Sequence, residues 1–548
     1  MAVDIRENSR ISSPAVRYAR ILGLFVIVLL ITGIALAHLY LTPWAGLLLY
    51  NGDSLTLALI ATSIRARESF HWILSSQLFL FPEGLFYAVS GILVPAIKYS
   101  FLFNAFLNLL SLFALYFLIA KSILKDAGKS EAFAISGLCL AVFYMLCETQ
   151  PEVNRRTIAS VFLFTTYYYG VILAALLLLC LHIEIIKRSN ASASGRVNAL
   201  LGSSIVLVTG MTYFSDPLLL LQFSLPFLAT VLLVWAIRRL SFRHVAIAIV
   251  LQLLGLIAGQ IFRHLCRDLV GNTVAGYIDF GKIIASIMDC WSVIAEIVRN
   301  GLSLLEYSVM LGVFLISVGV AIFLCAKGRR TFFHGDSALS TVALIVAFFA
   351  VICPISTIFG TIASGNSYTR YFVPLVFIPA LGLIPLFYMW RDFSREKALT
   401  FFFVFVLIAF VSYVPSRLAS AEAAGYSDSE SVDCYNHYMS RQPFNAVGGF
   451  WTVRALDLYS TSGSRVLQLA GLGRMRWMNN SSPYFNLSFS GVIVDKSTGG
   501  ARAPNFIYAE DVAPLGPYTK KLSCKQFDIY YYDENSPGFR LLNSALKK

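Results

Sequence analysis

Asp53, Glu68, His71 and Glu83, four side chains that can handle protons, share one connection of this chain, residues 42–98, between two long apolar runs. A carboxylate held at such a place can take the proton of a hydroxyl as that oxygen attacks an electrophilic carbon, which is general-base work. Asp53 is the leading candidate, because it follows the first apolar run closely, in a loop that folds back against the membrane. Asp53-Ser54 also reads as the N-cap of a helix starting near Leu55, and the two roles are compatible. Glu83 lies between Pro82 and Gly84 in an aromatic-flanked turn, where it either assists Asp53 or is a surface turn residue. His71 is a base or an interfacial histidine, and would share a helix face with Glu68 on an amphipathic piece over 65–71.

Phosphate chemistry has its own candidates. Arg155, Arg156, Arg263, Arg267 and Arg370 stand on the same side of the apolar runs as Asp53, with Tyr371 directly after Arg370. Arginine offers a planar fork that matches phosphate oxygens and keeps its charge when desolvated. The alternative is that these side chains snorkel to lipid headgroups. Asp216, just before Pro217, either pairs with one of these arginines or caps the next span. With no CxxC or HExxH pattern, a protein-bound zinc is disfavoured.

The elements that position these residues are membrane helices. Apolar runs near 21–41, 99–120, 131–147, 160–186, 197–213, 217–236, 244–262, 303–326, 337–358, 371–390 and 398–415 are mostly long enough to cross a bilayer. Alternate connections carry basic clusters: Arg17/Arg20, Lys121/Lys125/Lys129, Lys187/Arg188/Arg196, Arg238/Arg239/Arg243, Lys327/Arg329/Arg330 and Arg391/Arg395/Lys397. The positive-inside rule puts these clusters and the N-terminus in the cytoplasm, and the candidate residues outside. The chain has 548 residues of which 13% are charged, and its mean hydropathy is +0.70. These values exclude an ordinary soluble domain. The net charge of +13 is explained by helix ends, so nucleic acid is not expected as a partner. The first run lacks a cleavage motif and reads as a signal anchor.

Residues 1–20 read as a cytoplasmic segment, 21–415 as a transmembrane domain and 416–548 as an extracytoplasmic domain. The connections 42–98 and 263–302 are too long for simple turns and read as interfacial helices. The tail has short apolar runs, such as Phe489–Val494 and Phe527–Tyr532, between Gly, Pro, Asn and Asp clusters, which predicts a small α/β domain. Of nine cysteines only Cys434 and Cys524 lie in the tail. In an oxidising compartment they are candidates for a disulfide worth ~4 kcal/mol on a chain-entropy account.

Four features together resemble the polytopic glycosyltransferases of the GT-C fold. They are the long first outer loop with Asp53 and Glu83, a body of about eleven helices with its N-terminus inside, the short outer loop ending in Arg370-Tyr371, and the outer tail domain ending in Cys524-Lys525-Gln526-Phe527-Asp528-Ile529-Tyr530. The resemblance implies a polyprenyl-phosphate-linked sugar donor, a glycan acceptor such as an O-antigen or lipid-linked polysaccharide, and membrane lipids as surroundings. It implies residence in a bacterial inner membrane with the tail in the periplasm. It makes Asp53 the base of an inverting displacement, with Arg370 or Arg263/Arg267 meeting the leaving phosphate. No Asp-x-Asp or Glu-x-Asp pair stands in the first outer loop, which favours a metal-independent reaction. A flippase for lipid-linked oligosaccharides would instead show ionisable residues within spans and broken helices at the midplane. A polysaccharide polymerase or ligase would concentrate arginines in a late loop.

Overall fold

The computed structural model describes residues 14–41, 44–124, 129–146, 160–189, 195–271, 279–299, 301–327, 337–365, 368–389, 428–496 and 504–547. Helices stand on every predicted apolar run except 398–415, which lies outside the described residues. Among the described residues, seven helices are long and apolar enough to cross a membrane: Ile97–Ile123, Tyr169–Arg188, Gly195–Ser215, Phe242–Leu265, Leu304–Ala326, Thr341–Ala363 and Arg370–Met389.

Two runs depart from the simple helices that hydropathy predicts. The run 160–186 opens with a 3-10 turn, Ser160–Leu163, and becomes α-helical only at Tyr169. The run 371–390 is broken into Thr369–Phe372, Pro374–Phe377, Pro379–Gly382 and Leu383–Met389, since each proline removes a backbone donor. Backbone freed inside a membrane body must find partners there. Tyr116 donates its hydroxyl to the Phe377 carbonyl at 2.8 Å, Ser317 to Pro379 at 2.7 Å, and the Asn108 amide to Phe162 at 3.1 Å.

Between the first two spans the helix Thr56–Arg65 ends where expected, but no helix follows over 65–71. Arg67 adopts a positive φ of 54°, and the chain extends into strand β1, Trp72–Ile73. What overrides the amphipathic pattern is pairing with the tail: β1 runs antiparallel to β5, Asn479–Asn480. In the connection 263–302, the helix Ile283–Arg299 carries Ile284, Ile287, Met288, Trp291, Ile294 and Val298 on one exposed stripe, as an interfacial helix should.

The tail forms the predicted α/β domain. Its other strands are β2 (Ala446–Gly448), β3 (Val466–Ala470), β4 (Gly473–Arg474), β6 (Gly491–Asp495), β7 (Lys520–Ser523) and β8 (Phe527–Tyr531). They form one sheet in the order β4-β3-β2-β6-β8-β7, parallel at β3-β2-β6 and antiparallel elsewhere. Strand side chains alternate between faces. Val447, Leu467, Val492 and Val494 pack with Leu542 and Leu546 of the helix Pro537–Lys547. Ala446, Val466, Ile493 and Ile529 face the other way, joining Val453 and Leu456 of the helix Phe450–Tyr459 in a core continuous with the membrane body. Cys434 and Cys524 are disulfide-bonded, their Cα atoms 6.0 Å apart, which ties the helix Asp428–Arg441 to the end of β7.

Candidate active site

Residues 51–55 form a turn ahead of the helix Thr56–Arg65. Asn51, rather than Asp53, closes it: the Asn51 Oδ1 accepts from the Asp53 amide at 3.0 Å, and its carbonyl from Leu55 at 3.2 Å. The helix N-cap position is Leu55 and receives no side-chain cap. The capping role open to Asp53 in the sequence is therefore not the one it has. Its backbone is bound into the fold, the amide by Asn51 and the carbonyl by Thr56 Oγ1 and Thr166 Oγ1, each hydroxyl at 2.9 Å.

The carboxylate itself points to Arg370, with 3.8 Å between Asp53 Oδ2 and Arg370 Nη1. That separation is an attraction rather than a hydrogen bond, and both groups keep unspent capacity. Asp53 Oδ1 and Arg370 Nε are buried without a partner. The two side chains remain 17% and 22% exposed, so a small group can reach them. Arg370 is held by aromatic faces, 5.2 Å from the Tyr368 ring and 5.7 Å from Tyr371. Burial pushes the Asp53 pKa above the ordinary carboxylate value, while Arg370, Arg454 and the Tyr167 hydroxyl oppose the rise.

The run Thr165-Thr166-Tyr167-Tyr168-Tyr169-Gly170 forms the floor of the site, and sequence reasoning missed it by assigning it to a span. Thr165 bonds the Ser54 carbonyl at 2.5 Å, and the Tyr167 hydroxyl bonds Asn51 Oδ1 at 3.2 Å. The Tyr168 ring meets Tyr371 at 5.3 Å and Phe79 at 5.6 Å. Gly170 donates its amide to Glu83 Oε1 at 3.1 Å. A Cβ at Gly170 would fall 2.3 Å from the Glu83 carboxyl carbon, so only glycine admits that side chain. Three successive tyrosines between two threonines and a glycine were the available signal.

Glu83 is wholly buried, not an exposed turn residue, and its Oε2 has no partner. Its neighbour Asp216 is equally buried: Oδ1 caps the following turn through the Leu218 amide at 3.0 Å, and Oδ2 is unpartnered. Burial, reinforced by Asp216, raises the Glu83 pKa to about 8. Burial raises Asp216 to about 7 against the pull of the Leu218 amide and Arg263. Arg263 spends its fork on carbonyls, Phe214 and Ser76 at 2.8 Å each, and so pins the first loop to the body.

The remaining candidates lie apart. The His71 ring is exposed, and its backbone is committed to Asn480 and Ser481. Arg267 is exposed in the turn Arg267–Leu269. Arg155 and Arg156 lie outside the described residues. Among the described residues, no three His, Cys, Asp or Glu side chains converge as metal ligands.

Arg454 is a further charged residue that sequence reasoning did not single out. It is 1% exposed, and its Nη2 donates to Thr56 Oγ1 at 2.8 Å. Its other contacts are the Met478 carbonyl and the Phe450 ring, 4.8 Å from the guanidinium carbon.

No protein-family model and no curated protein sequence matches this chain. Among solved structures it is similar to the oligosaccharyltransferase of Archaeoglobus fulgidus in the apo form. The TM-score is 0.47 at 12% identity, over 86% of this chain and 69% of that one. The same archaeal enzyme, AglB, in complex with an inhibitory peptide and a dolichol-phosphate gives a TM-score of 0.46 at 11% identity, over 87% and 69%.

Proposed function

We propose that this chain transfers a sugar from a polyprenyl-phosphate-linked donor to a hydroxyl of a glycan acceptor, such as an O-antigen or lipid-linked polysaccharide intermediate. The reaction takes place on the non-cytoplasmic face of a bacterial inner membrane. The observation that carries this reading is the Asp53–Arg370 pair: Oδ2 and Nη1 stand 3.8 Å apart in side chains that are still partly exposed, and the buried Asp53 Oδ1 and Arg370 Nε have no partner in the fold. As the acceptor oxygen attacks the anomeric carbon, Asp53 takes its proton. The bond from that carbon to the phosphate oxygen breaks, and the oxygen leaves with the electron pair toward Arg370. Attack opposite the leaving group inverts the anomeric centre. Arg370 suits the role because its aromatic flanks fix it without using its fork.

One observation favours a second reading, transport of a lipid-linked oligosaccharide. His182, Gln252, Ser224 and Thr209 form a buried polar network within the spans, with Gln252 Nε2 3.0 Å from the histidine ring nitrogen. The two are separated by glycan analysis of cells carrying wild-type protein, Asp53→Asn, or neither, at matched membrane levels. Transfer chemistry predicts that Asp53→Asn loses the same single sugar as the deletion. If the variant keeps the sugar that the deletion loses, Asp53 is not the base and transport moves ahead.

A further inference from the structure

The helix Phe450–Tyr459 of the C-terminal domain grips the turn that carries Asp53 at three points. The Phe450 ring covers Gly52 so closely that a Cβ there would lie 2.6 Å from it. Arg454 holds the Thr56 hydroxyl at 2.8 Å, and that hydroxyl is bonded to the Asp53 carbonyl at 2.9 Å. The Tyr459 ring packs on Tyr50 at 5.4 Å. Tyr50, Gly52 and Thr56 bracket Asp53, so the whole turn is held from one side by a single helix of another domain.

A buried arginine is a costly way to join two surfaces, since its desolvation is offset only by specific partners. An apolar side chain of equal volume would pack the same interior without that cost. The guanidinium moreover leaves its Nε without a partner, so packing alone does not account for it.

We propose that Arg454 is a positioning residue for the transfer reaction, clamping the Asp53 turn through Thr56 so that the C-terminal domain sets the place and charge of the catalytic carboxylate. This rests on the reading of Asp53 as the base. The groups facing Asp53 are Arg370 from the late span, Tyr167 from the floor and Arg454 from the C-terminal domain, with Asp457 facing Arg454 in turn. Arg454 therefore helps keep Asp53 ionised. Removing its charge raises the Asp53 pKa, and because the base works deprotonated, the acid limb of the rate profile moves to higher pH.

The test uses membranes from cells expressing the full chain, which hold their own donor and acceptor, permeabilised with detergent and normalised to protein amount. Transfer rates are followed from pH 4 to 9. Arg454→Met is expected to transfer at least tenfold more slowly, with its acid limb moved to higher pH. Arg454→Lys is expected to restore the limb but not the full rate. Thr56→Val is expected to slow transfer about tenfold and leave the limb in place, since the cation remains while the bridge is cut. If Arg454→Met and Thr56→Val match wild type in rate and limb while Asp53→Asn is inactive, the clamp is wrong and the base assignment stands. If Asp53→Asn is active, the base assignment fails and takes the clamp with it. If Arg454→Met does not accumulate, Thr56→Val decides, and a wild-type rate from it overturns the proposal.

Discussion

Glu83 and Asp216 are neighbouring carboxyl groups shut away from water, and their proton occupancy should be visible in stability. Their folded values, about 8 and about 7, lie above the ordinary 4.5 and 3.8. Between those limits the folded protein holds protons that the unfolded chain releases. Stability is then full below the ordinary values and is lost as pH rises through the folded ones, by up to about 1.4 kcal/mol per pH unit for each proton held. The midpoint of thermal unfolding in detergent should therefore fall between pH 5 and 8. Glu83→Gln, which keeps an acceptor for the Gly170 amide and has no charge to bury, should flatten part of that fall and melt higher than wild type at pH 8. Parallel pH slopes for the two proteins would show that Glu83 is ionised in the fold. Asp53 differs from this pair although it too is raised by burial. Two guanidiniums and a tyrosine hydroxyl oppose its neutralisation, the balance expected of a base rather than a buried acid.

At the scale of elements, the helix Ile283–Arg299 shows how far hydrophobic spacing reaches. Its stripe includes Ile284 at 77% and Trp291 at 66% exposure, side chains that water would not leave uncovered on a helix of this amphipathicity. Laid in the bilayer interface, the stripe is covered by acyl chains and headgroups. The fluorescence lost on Trp291→Phe should accordingly be quenched by brominated lipids in reconstituted protein and be protected from aqueous iodide; strong iodide quenching of that component would place the helix in water. This helix was legible in the sequence because its period is local, and so were the spans and the strands β6 and β8. The placing of Asp53 just past a span, in a loop too long to be a turn, was legible for a similar reason. The floor run 165–170 was not, because hydropathy counts three tyrosines as span while the Tyr167 and Tyr169 hydroxyls and the two threonines bind the first loop. Hydropathy also reads through Pro374, Pro379 and Pro385, where the structure satisfies a broken helix with side chains from other spans.

Across the whole molecule, the C-terminal domain and the first loop are built as one unit, although some four hundred residues of sequence separate them; no sequence period encodes such a contact, which is why Arg454 was not foreseen. Asn480 stands at the centre of the junction. Its amide nitrogen reaches Ser63 Oγ at 3.0 Å, Glu68 Oε2 at 3.2 Å and the Ser69 carbonyl at 3.1 Å, while its oxygen accepts from the His71 and Ser482 amides. Beside it, Arg465 pairs with Glu68 from the first loop and with Asp457 of its own domain, binding one carboxylate from each side of the junction. Asn480→Ala removes all of the Asn480 side-chain hydrogen bonds at once and takes the acceptor from the buried Ser482 amide, which costs about 1–3 kcal/mol for that group. If the junction folds as a unit, the loss must be felt on both sides at once. Hydrogen exchange should quicken at Trp72–Ile73 of β1 together with Asn479–Asn480 of β5, while the central strands β2 and β6, which pair with each other rather than with the loop, keep their protection. Faster exchange in β5 alone would mean that the loop is held by the membrane body, and the position of Asp53 would then owe nothing to the domain above it. Coupled loosening of both strands would show that ordering of the C-terminal domain and ordering of the first loop are one event.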